Sequence, residues 1–140
     1  MTETTKTPSV LFVCSKNGGK SQLAAGLMNQ LAHGTVTVHS AGTKPGESLN
    51  TQAVESLNDL GIDITGEHPK PVTDEVLDAA DVVIVLGTEA RVEPREGKRF
   101  EFWETDEPSE RGIEGMERMH LVRDDIQSRV QKLYAELTGS

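Results

Sequence analysis

The sequence contains little cysteine and no long hydrophobic run, and each shortage excludes a class of protein. The one cysteine among 140 residues excludes an internal disulfide framework and a zinc site built from several cysteines. The four histidines show no metal-ligand spacing, so no metal is expected. No apolar run approaches the roughly 20 residues of a membrane span, and the N-terminus has no apolar core of a secretion signal. We therefore expect a cytoplasmic protein without a membrane partner.

Basic residues are also scarce, with 14 against 23 acidic residues and a net charge of −9. This balance argues against nucleic acid as a partner. The charge is uneven, because the segment 1–46 carries four lysines and one glutamate whereas the rest carries ten basic and 22 acidic residues. An anionic ligand is therefore expected to bind within the first third of the chain.

Apolar runs and helical periodicity alternate along the chain, which predicts one α/β domain. The predicted strands cover 9–14, 35–40, 82–86 and 100–103, and the predicted helices cover about 21–33, 50–60, 74–80 and 115–137. The strands at 9–14 and 82–86 are unbroken apolar runs, as is typical of a parallel sheet covered on both faces. The prediction is a four-stranded parallel sheet with helices on both faces. It forms a single catalytic domain over 9–138, after a disordered tail at 1–8.

The loop after the first strand is the expected place for chemistry, since ligands of parallel sheets bind beyond the carboxyl ends of the strands. Its two adjacent glycines let the backbone curl with its N–H groups inward, beside the positive end of the next helix. Such a nest binds a tetrahedral oxyanion, and the same field stabilises the thiolate of Cys14. Ser21 is expected to donate a hydrogen bond to the sulfur, and Lys20 to place a cation on the anion. The candidate substrate-binding residues are Ser15, Lys16, Asn17, Gly18, Gly19 and Lys20.

Three interpretations of this loop compete. In the nucleotide-binding motif G-x-x-x-x-G-K-[ST], the first glycine would fall on Cys14, and Asp81 precedes the later apolar strand instead of following it. A second interpretation is an inert buried cysteine that closes a strand. The third is a nucleophilic cysteine on an oxyanion cradle, which the attached Gly-Gly-Lys-Ser sequence favours.

The same residues resemble the low-molecular-weight protein tyrosine phosphatase fold family. The loop resembles the Cys-x5-Arg-Ser loop of that family, with a lysine in place of the arginine. The resemblance covers about residues 9–137. It is carried by Cys14-x5-Lys20-Ser21 after Val10–Val13, by His39-Ser-Ala-Gly-Thr43, by Asp81-Val-Val-Ile-Val85, by Trp103 with Asp106-Glu-Pro108, and by Arg123-Asp124-Asp-Ile126 with Arg129.

Within that fold, Asn-Gly-Gly-Lys-Ser and Gly115-Met-Glu-Arg-Met119 are similar to the mycothiol-dependent arsenate reductases, the arsenate-mycothiol transferases. This resemblance implies that arsenate condenses with mycothiol as co-substrate, without a bound cofactor, and that a mycoredoxin then reduces the adduct and releases arsenite. Phosphate and sulfate are expected to act as analogues of arsenate. A homodimer is compatible with the sequence but is not specified by it.

Three departures from related enzymes agree with this interpretation. Lysine offers an oxyanion only a point charge, whereas the arginine of the phosphatases holds it with a planar fork. Pro108 is followed by Ser-Glu-Arg instead of the aromatic residues that hold a phosphotyrosine ring in the phosphatases. The thioredoxin-coupled arsenate reductases of the same fold have two more cysteines, one of them where this chain has Leu86. The thiol must therefore come from outside the chain.

A proton donor is expected in the segment Thr105-Asp106-Glu107-Pro108, because turning an arsenate oxygen into water requires a proton. The resemblance maps the general acid of the relatives onto Glu107, which is longer than their aspartate, and Asp106 is the alternative. A solvated acidic loop without a catalytic role remains the competing interpretation for both residues.

Other polar residues are weaker candidates. Three arginines of the last predicted helix are expected to form a solvated or ion-paired face. Arg91 and Arg95 of the loop 87–98 are candidates for contact with a carboxylate of the thiol. The three arginines of the last helix are Arg118, Arg123 and Arg129.

The alternatives to an arsenate reductase are a phosphatase acting on phosphate esters and a non-catalytic oxyanion-binding regulator of the same fold.

Overall fold

The computed structural model describes residues 7–139, which form a four-stranded sheet and four helices. A short 3₁₀ turn at Pro108–Arg111 precedes the last helix. The predicted fold class is confirmed. The strands are β1 (Ser9–Cys14), β2 (Thr37–Gly42), β3 (Val82–Leu86) and β4 (Arg99–Trp103), and the helices are α1 (Lys20–Ala32), α2 (Thr51–Asn58), α3 (Asp74–Ala79) and α4 (Gly115–Thr138).

All strand pairs are parallel, and the strand order is β2-β1-β3-β4. Because the strands are parallel, their carboxyl ends meet at one edge of the sheet. Strand β1 lies between β2 and β3, so the loop that follows Cys14 emerges at the centre of that edge. The order in which strands are added also reverses at β1, since β2 lies on one side of it and β3 on the other. This is the crevice in which open α/β sheets bind their ligands.

The two faces of the sheet pack against different helices because successive side chains of a strand point to opposite faces. Val10, Phe12 and Ile84 belong to the larger core with α1, α2 and α4. Leu11 and Val83 belong to a smaller core with α3. Both faces of the central strands are therefore covered, as their unbroken apolar runs predict.

One side of α4 is an apolar stripe that faces the larger core. Five of its six residues are at most 4% exposed, and the sixth, Leu137, packs against the same core from the surface. The stripe anchors α4 against the sheet, and the first turn of α4 lies near the edge formed by the carboxyl ends of the strands. Its residues are Met119, Val122, Ile126, Val130, Leu133 and Leu137.

The structure corrects the predicted limits of the second strand. Thr35 folds back on the end of α1, where its hydroxyl donates to the carbonyl of Ala32 at 2.6 Å. The strand therefore begins at Thr37 and extends through Gly42, past the predicted end at 40. The left-handed residue at the end of α1 is His33, with φ of 45°, although Gly34 after it also has a positive φ.

Pairing begins one residue before the predicted start of the domain, because the carbonyl of Pro8 accepts a hydrogen bond from the amide of Thr37 at 2.8 Å. Most of the predicted tail, residues 1–6, lies outside the described residues. Within 7–139, no helix is both long and apolar enough to cross a membrane. The same residues contain no cluster of three His, Cys, Asp or Glu side chains suited to a metal ion.

Candidate active site

Cys14 ends β1 with its sulfur held by hydrogen bonds. The amide of Asn17 donates to Sγ at 3.3 Å, and the Ser21 hydroxyl lies 3.0 Å from Sγ. The side-chain amide of Asn17 donates to that same hydroxyl oxygen at 2.7 Å, which leaves the Ser21 proton free to point at the sulfur. Cys14 itself is buried. Both groups therefore lie where they can hydrogen-bond a sulfur that acts as a nucleophile.

The loop carries its carbonyl oxygens on the outside. The carbonyls of Cys14, Ser15, Lys16 and Gly18 accept from the amides of residues 43, 44, 46 and 50 at 2.8–3.2 Å. Those of Asn17 and Gly19 accept from the Gln22 side chain and the Leu23 amide. In a trans peptide the N–H points away from the preceding carbonyl. The amides that follow these carbonyls, including those of residues 18–20, are therefore directed into the loop, where an oxyanion would meet them.

Asn17 organises this loop through its side chain. It is completely buried, and its Oδ1 accepts from the Lys70 amide at 2.9 Å and from Gln22 Nε2 at 3.3 Å. Its Nδ2 donates to Ser21, as described above. Asn17 also has a φ of 55°, a left-handed conformation that asparagine tolerates better than most residues. The positive φ of the loop is therefore at Asn17, whereas Gly18 and Gly19, which were expected to let the backbone curl, have no positive φ.

Glycines instead provide room for close approach of the backbone. A Cβ on Gly42 would lie 2.7 Å from the Ser15 carbonyl oxygen and 2.9 Å from the Asn17 nitrogen. A Cβ on Gly18 would lie 3.0 Å from the Ser48 carbonyl oxygen. The loop therefore packs directly against the end of β2. A residue with a side chain at position 42 would collide with the loop, which explains the glycine there.

A cavity of about 770 Å³ opens above Cys14 at the carboxyl edge of the sheet. Leu86, the last residue of β3, forms part of its wall one strand away from Cys14. None of the residues that line it is aromatic. They are Cys14, Ser15, Lys16, Gly19, Lys20, Asn50, Leu86, Gly87, Thr88, Glu89, Glu104, Thr105, Asp106, Glu107, Glu110, Arg111 and Arg118.

The two candidate proton donors lie in different environments. Lys20 Nζ contacts the Glu107 carboxylate across the cavity. The Asp106 carboxylate instead binds both terminal nitrogens of Arg111, at 2.8 and 3.2 Å. Hydrogen bonding to Arg111 lowers the pKa of Asp106 below its usual value. Asp106 is thus held as an anion by its neighbour, whereas Glu107 reaches the lysine expected to bind the oxyanion.

The family of this chain can now be assigned. The model of the low molecular weight phosphotyrosine protein phosphatases matches residues 9–140, which include the loop, the cavity wall and the last helix. The chain belongs to this family. The family assignment agrees with the resemblance inferred from the sequence and with the parallel sheet described above.

The solved structures that are similar to this chain include arsenate reductases. A thioredoxin-dependent arsenate reductase of Corynebacterium glutamicum is 32% identical, with a TM-score of 0.80; the match covers 94% of this chain and 62% of that longer chain. An arsenate reductase in its phosphate-binding state is 30% identical, with a TM-score of 0.81, over 93% of this chain and 98% of the other. The YwlE arginine phosphatase of Geobacillus stearothermophilus, 22% identical over 94% of both chains with a TM-score of 0.77, shares the fold.

Arg118 lies in the cavity wall, a position that was not predicted from the sequence. It was grouped with Arg123 and Arg129 as a solvated or ion-paired face of α4. The latter two are ion-paired, with Asp124 and Asp125 respectively. Arg118 instead lines the cavity above the loop. Its position in the first turn of a helix that starts at the functional edge was the available signal.

The two arginines of the loop 87–98 also lie away from Cys14. Arg95 is paired with Asp74 and Asp78 at 2.6 and 3.1 Å. Arg91 lines a smaller, neighbouring cavity of about 440 Å³ that does not include Cys14. Neither lines the cavity above the loop, contrary to the expectation that they meet a thiol substrate there.

Proposed function

We propose that this family member is an arsenate reductase that condenses arsenate with mycothiol as an external co-substrate. In the condensation, HAsO₄²⁻ and a thiol RSH give RS–AsO₃²⁻ and water, so that one As–O bond breaks and one As–S bond forms. A mycoredoxin thiolate then attacks the sulfur of the adduct. The electron pair of the As–S bond stays on arsenic, arsenite leaves, and the two sulfurs form a mixed disulfide.

The observation that carries this proposal is one thiol in an oxyanion-binding loop. Cys14 is the single cysteine among the 140 residues. Leu86, which the resemblance aligns with a second thiol of thioredoxin-coupled relatives, is an apolar residue in the cavity wall. A cycle that ends in an internal disulfide is not available to these residues. The electrons must therefore come from a thiol that enters the cavity.

The relatives and the charged residues support the oxyanion part of the proposal. Two solved structures of arsenate reductases are 30–32% identical to this chain, and one of them is in a phosphate-binding state. Phosphate and arsenate are tetrahedral oxyanions that suit inward amides beside a helix N-terminus. Lys20 adds a cation, and its contact with Glu107 brings this carboxyl, and not that of Asp106, close to the oxygen expected to leave as water.

A phosphatase of phosphate esters is the second candidate, because the family as a whole carries that description. The cavity argues against a tyrosine phosphate, since no aromatic side chain lines it to hold the ring. A non-catalytic oxyanion-binding regulator is disfavoured by the hydrogen bonds to Cys14 Sγ, because a binder needs no stabilised thiolate.

The test is arsenate-dependent thiol consumption, with mycothiol, glutathione and a thioredoxin system compared side by side. We expect arsenite release with mycothiol and mycoredoxin, slower turnover with glutathione and none with thioredoxin alone. Hydrolysis of para-nitrophenyl phosphate in parallel measures the phosphatase alternative. Sustained arsenite production with thioredoxin alone refutes the external-thiol mechanism, and equal rates with every thiol remove the mycothiol assignment.

The oxyanion site has its own test. Phosphate, sulfate and arsenate should compete for the loop, and Lys20→Ala should weaken all three because it removes the cation. NMR amide signals of Gly18, Gly19 and Lys20 should shift on phosphate titration. If these signals do not move, the oxyanion binds elsewhere.

A further inference from the structure

The cavity above Cys14 is larger than an oxyanion requires. A tetrahedral anion held by the amides of residues 18–20 occupies the floor, within hydrogen-bond distance of the loop. The remainder of the roughly 770 Å³ is lined by residues of the segments 86–89 and 104–111, and by Asn50 and Arg118 at the starts of α2 and α4. This space can hold a second reactant. Some of the side chains that line it are already engaged in ion pairs, and others are not.

On the side of the segment 104–111, the cations are already engaged. Arg111 is bound to Asp106, and Lys20 contacts Glu107. Arg118 at the start of α4 is half-buried in the cavity wall. Across residues 7–139, its guanidinium forms no ion pair and no hydrogen bond. Half-burial removes part of the water around a group with five N–H donors, so an incoming acceptor gains more there than at an open surface.

Asn50, the exposed N-cap residue of α2, also lines this cavity. Its Oδ1 caps α2 by accepting from the amides of Gln52 and Ala53 at 2.9 and 3.1 Å. The side-chain amide is thereby fixed, and its Nδ2 is left with two N–H groups that bind no other described residue. The backbone amide of Asn50 donates to Gly18 at 2.8 Å, which ties this wall to the oxyanion loop.

The two helices that carry these donors are braced against each other. Arg123 of α4 donates to the Ser56 carbonyl of α2 at 2.8 Å. His120 Nε2 lies 3.0 Å from Asp59 Oδ2, at the end of α2. Donors on mutually fixed helices lose little conformational freedom when they bind a ligand.

We infer that Arg118 and Asn50 form the subsite for the part of the thiol co-substrate that does not react. This inference rests on the proposed function and adds the ligand chemistry of the second reactant. The subsite takes a thiol with several oxygen acceptors, namely amide carbonyl and hydroxyl groups, and binds the part of it that is remote from the sulfur. It does not bind the oxyanion, which the loop amides and Lys20 hold.

The kinetic test compares Arg118→Gln and Asn50→Ser with the wild-type enzyme. Serine caps a helix as well as asparagine does, so the second variant removes the Nδ2 donors and keeps α2 intact. We expect the KM for mycothiol to rise about tenfold in Arg118→Gln and about threefold in Asn50→Ser. The KM for arsenate and kcat at saturating thiol should stay within twofold of wild type.

Lys132→Gln is the matched control, because Lys132 is exposed on α4 and lies outside this cavity. It removes one positive charge and should leave both KM values unchanged. An unchanged KM for mycothiol in Arg118→Gln overturns the inference. A raised KM for arsenate with an unchanged KM for mycothiol also overturns it, since Arg118 would then bind the oxyanion.

A binding measurement separates this inference from the proposed reaction. Mycothiol is titrated into the phosphate-loaded protein, in which no turnover occurs, and the side-chain N–H signals of Arg118 and Asn50 are followed by NMR. Shifts of these signals, with weaker binding in Arg118→Gln, support the subsite even if arsenate is not turned over. Absence of mycothiol binding overturns the subsite, whereas failure of turnover alone refutes the proposed function.

Discussion

The floor and the acidic wall of the cavity are built differently. In the floor, residues 14–19 use every carbonyl oxygen in a hydrogen bond, and Asn17 and Ser21 are completely buried. In the wall, the segment 104–111 relies on ion pairs of half-exposed side chains such as Arg111 with Asp106. The buried hydroxyl of Thr105 there has no hydrogen-bond partner among the described residues.

This difference separates two tasks. A buried and fully bonded loop holds its donors ready before the anion arrives, so little free energy is lost in reorganisation when it binds. Exposed ion pairs contribute little stability, about 0–1 kcal/mol, and exchange partners easily. We therefore expect substitutions in the floor to remove activity, and substitutions in the wall to change proton transfer or specificity by smaller factors.

The largest effect is expected for Cys14→Ser. A hydroxyl is far less acidic than a thiol, so turnover should fall by several orders of magnitude. The fold should remain, as checked by circular dichroism and by the melting temperature. Retention of more than about a tenth of the activity would contradict the assignment of Cys14 as nucleophile.

The next largest effect is expected for Gly42→Ala, because the added Cβ would overlap the Ser15 carbonyl and the Asn17 amide. The loop must move, and we expect a destabilisation of about 1–3 kcal/mol together with loss of phosphate binding, measured by denaturation and calorimetry. Gly46→Ala is the matched control, since its Cβ would find only an ordinary contact at 3.7 Å from Lys16. Equal effects of both substitutions would mean that the loop does not depend on the close approach.

A smaller effect is expected for Asn17→Gly, which preserves the left-handed backbone and removes only the side chain. The Lys70 amide and the Gln22 side chain then lose an acceptor, and Ser21 loses the donor that orients its hydroxyl. We expect a loss of about 1–3 kcal/mol in stability, measured by urea denaturation, and a reduced kcat. A variant as stable and active as wild type would show that the backbone alone forms the loop.

The smallest effect concerns the pH dependence of the wall. Hydrogen bonding to Arg111 lowers the pKa of Asp106, so the pair contributes stability above the ordinary aspartate pKa and loses it as the pH falls through the lowered value. NMR titration of the Asp106 carboxyl carbon should show a lower midpoint than for an ordinary aspartate. Arg111→Gln should return the midpoint to the ordinary range. An unchanged midpoint in that variant would show that Arg111 does not hold the carboxylate.

Much of the fold and the floor of the site could be predicted from local patterns. The apolar runs 9–14 and 82–86 specify buried parallel strands, and Cys14 before Gly-Gly-Lys-Ser specifies a loop at a strand end. The start of α3 is also set locally, since the Thr73 hydroxyl accepts from the Val76 amide at 3.1 Å. These features depend on neighbours in the sequence, which a single chain reveals.

Contacts between distant segments could not be predicted in the same way. The pairing of Asn17 with Lys70 spans 53 residues, and that of Lys20 with Glu107 spans 87. No periodicity of the sequence relates such positions. Likewise, the identity of residue 118 as an arginine does not show that it lies in the wall of the cavity. The roles of the site residues themselves remain predictions that the experiments above test.

The position of Leu86 bears on how redox coupling can change within a fold. Val13 and Val85 are partners in the register of β1 and β3, so Cys14 and Leu86 follow on adjacent strands. Strands in a sheet lie about 4.8 Å apart, within the Cα separations of about 4.4–6.8 Å at which disulfides form. Exchange of one aliphatic side chain at the end of β3 would thus bring a second sulfur beside the first, without rebuilding the sheet. Under the proposed function, the residue at the end of β3 therefore decides whether a second thiol lies beside Cys14, while the loop that would hold the oxyanion stays the same.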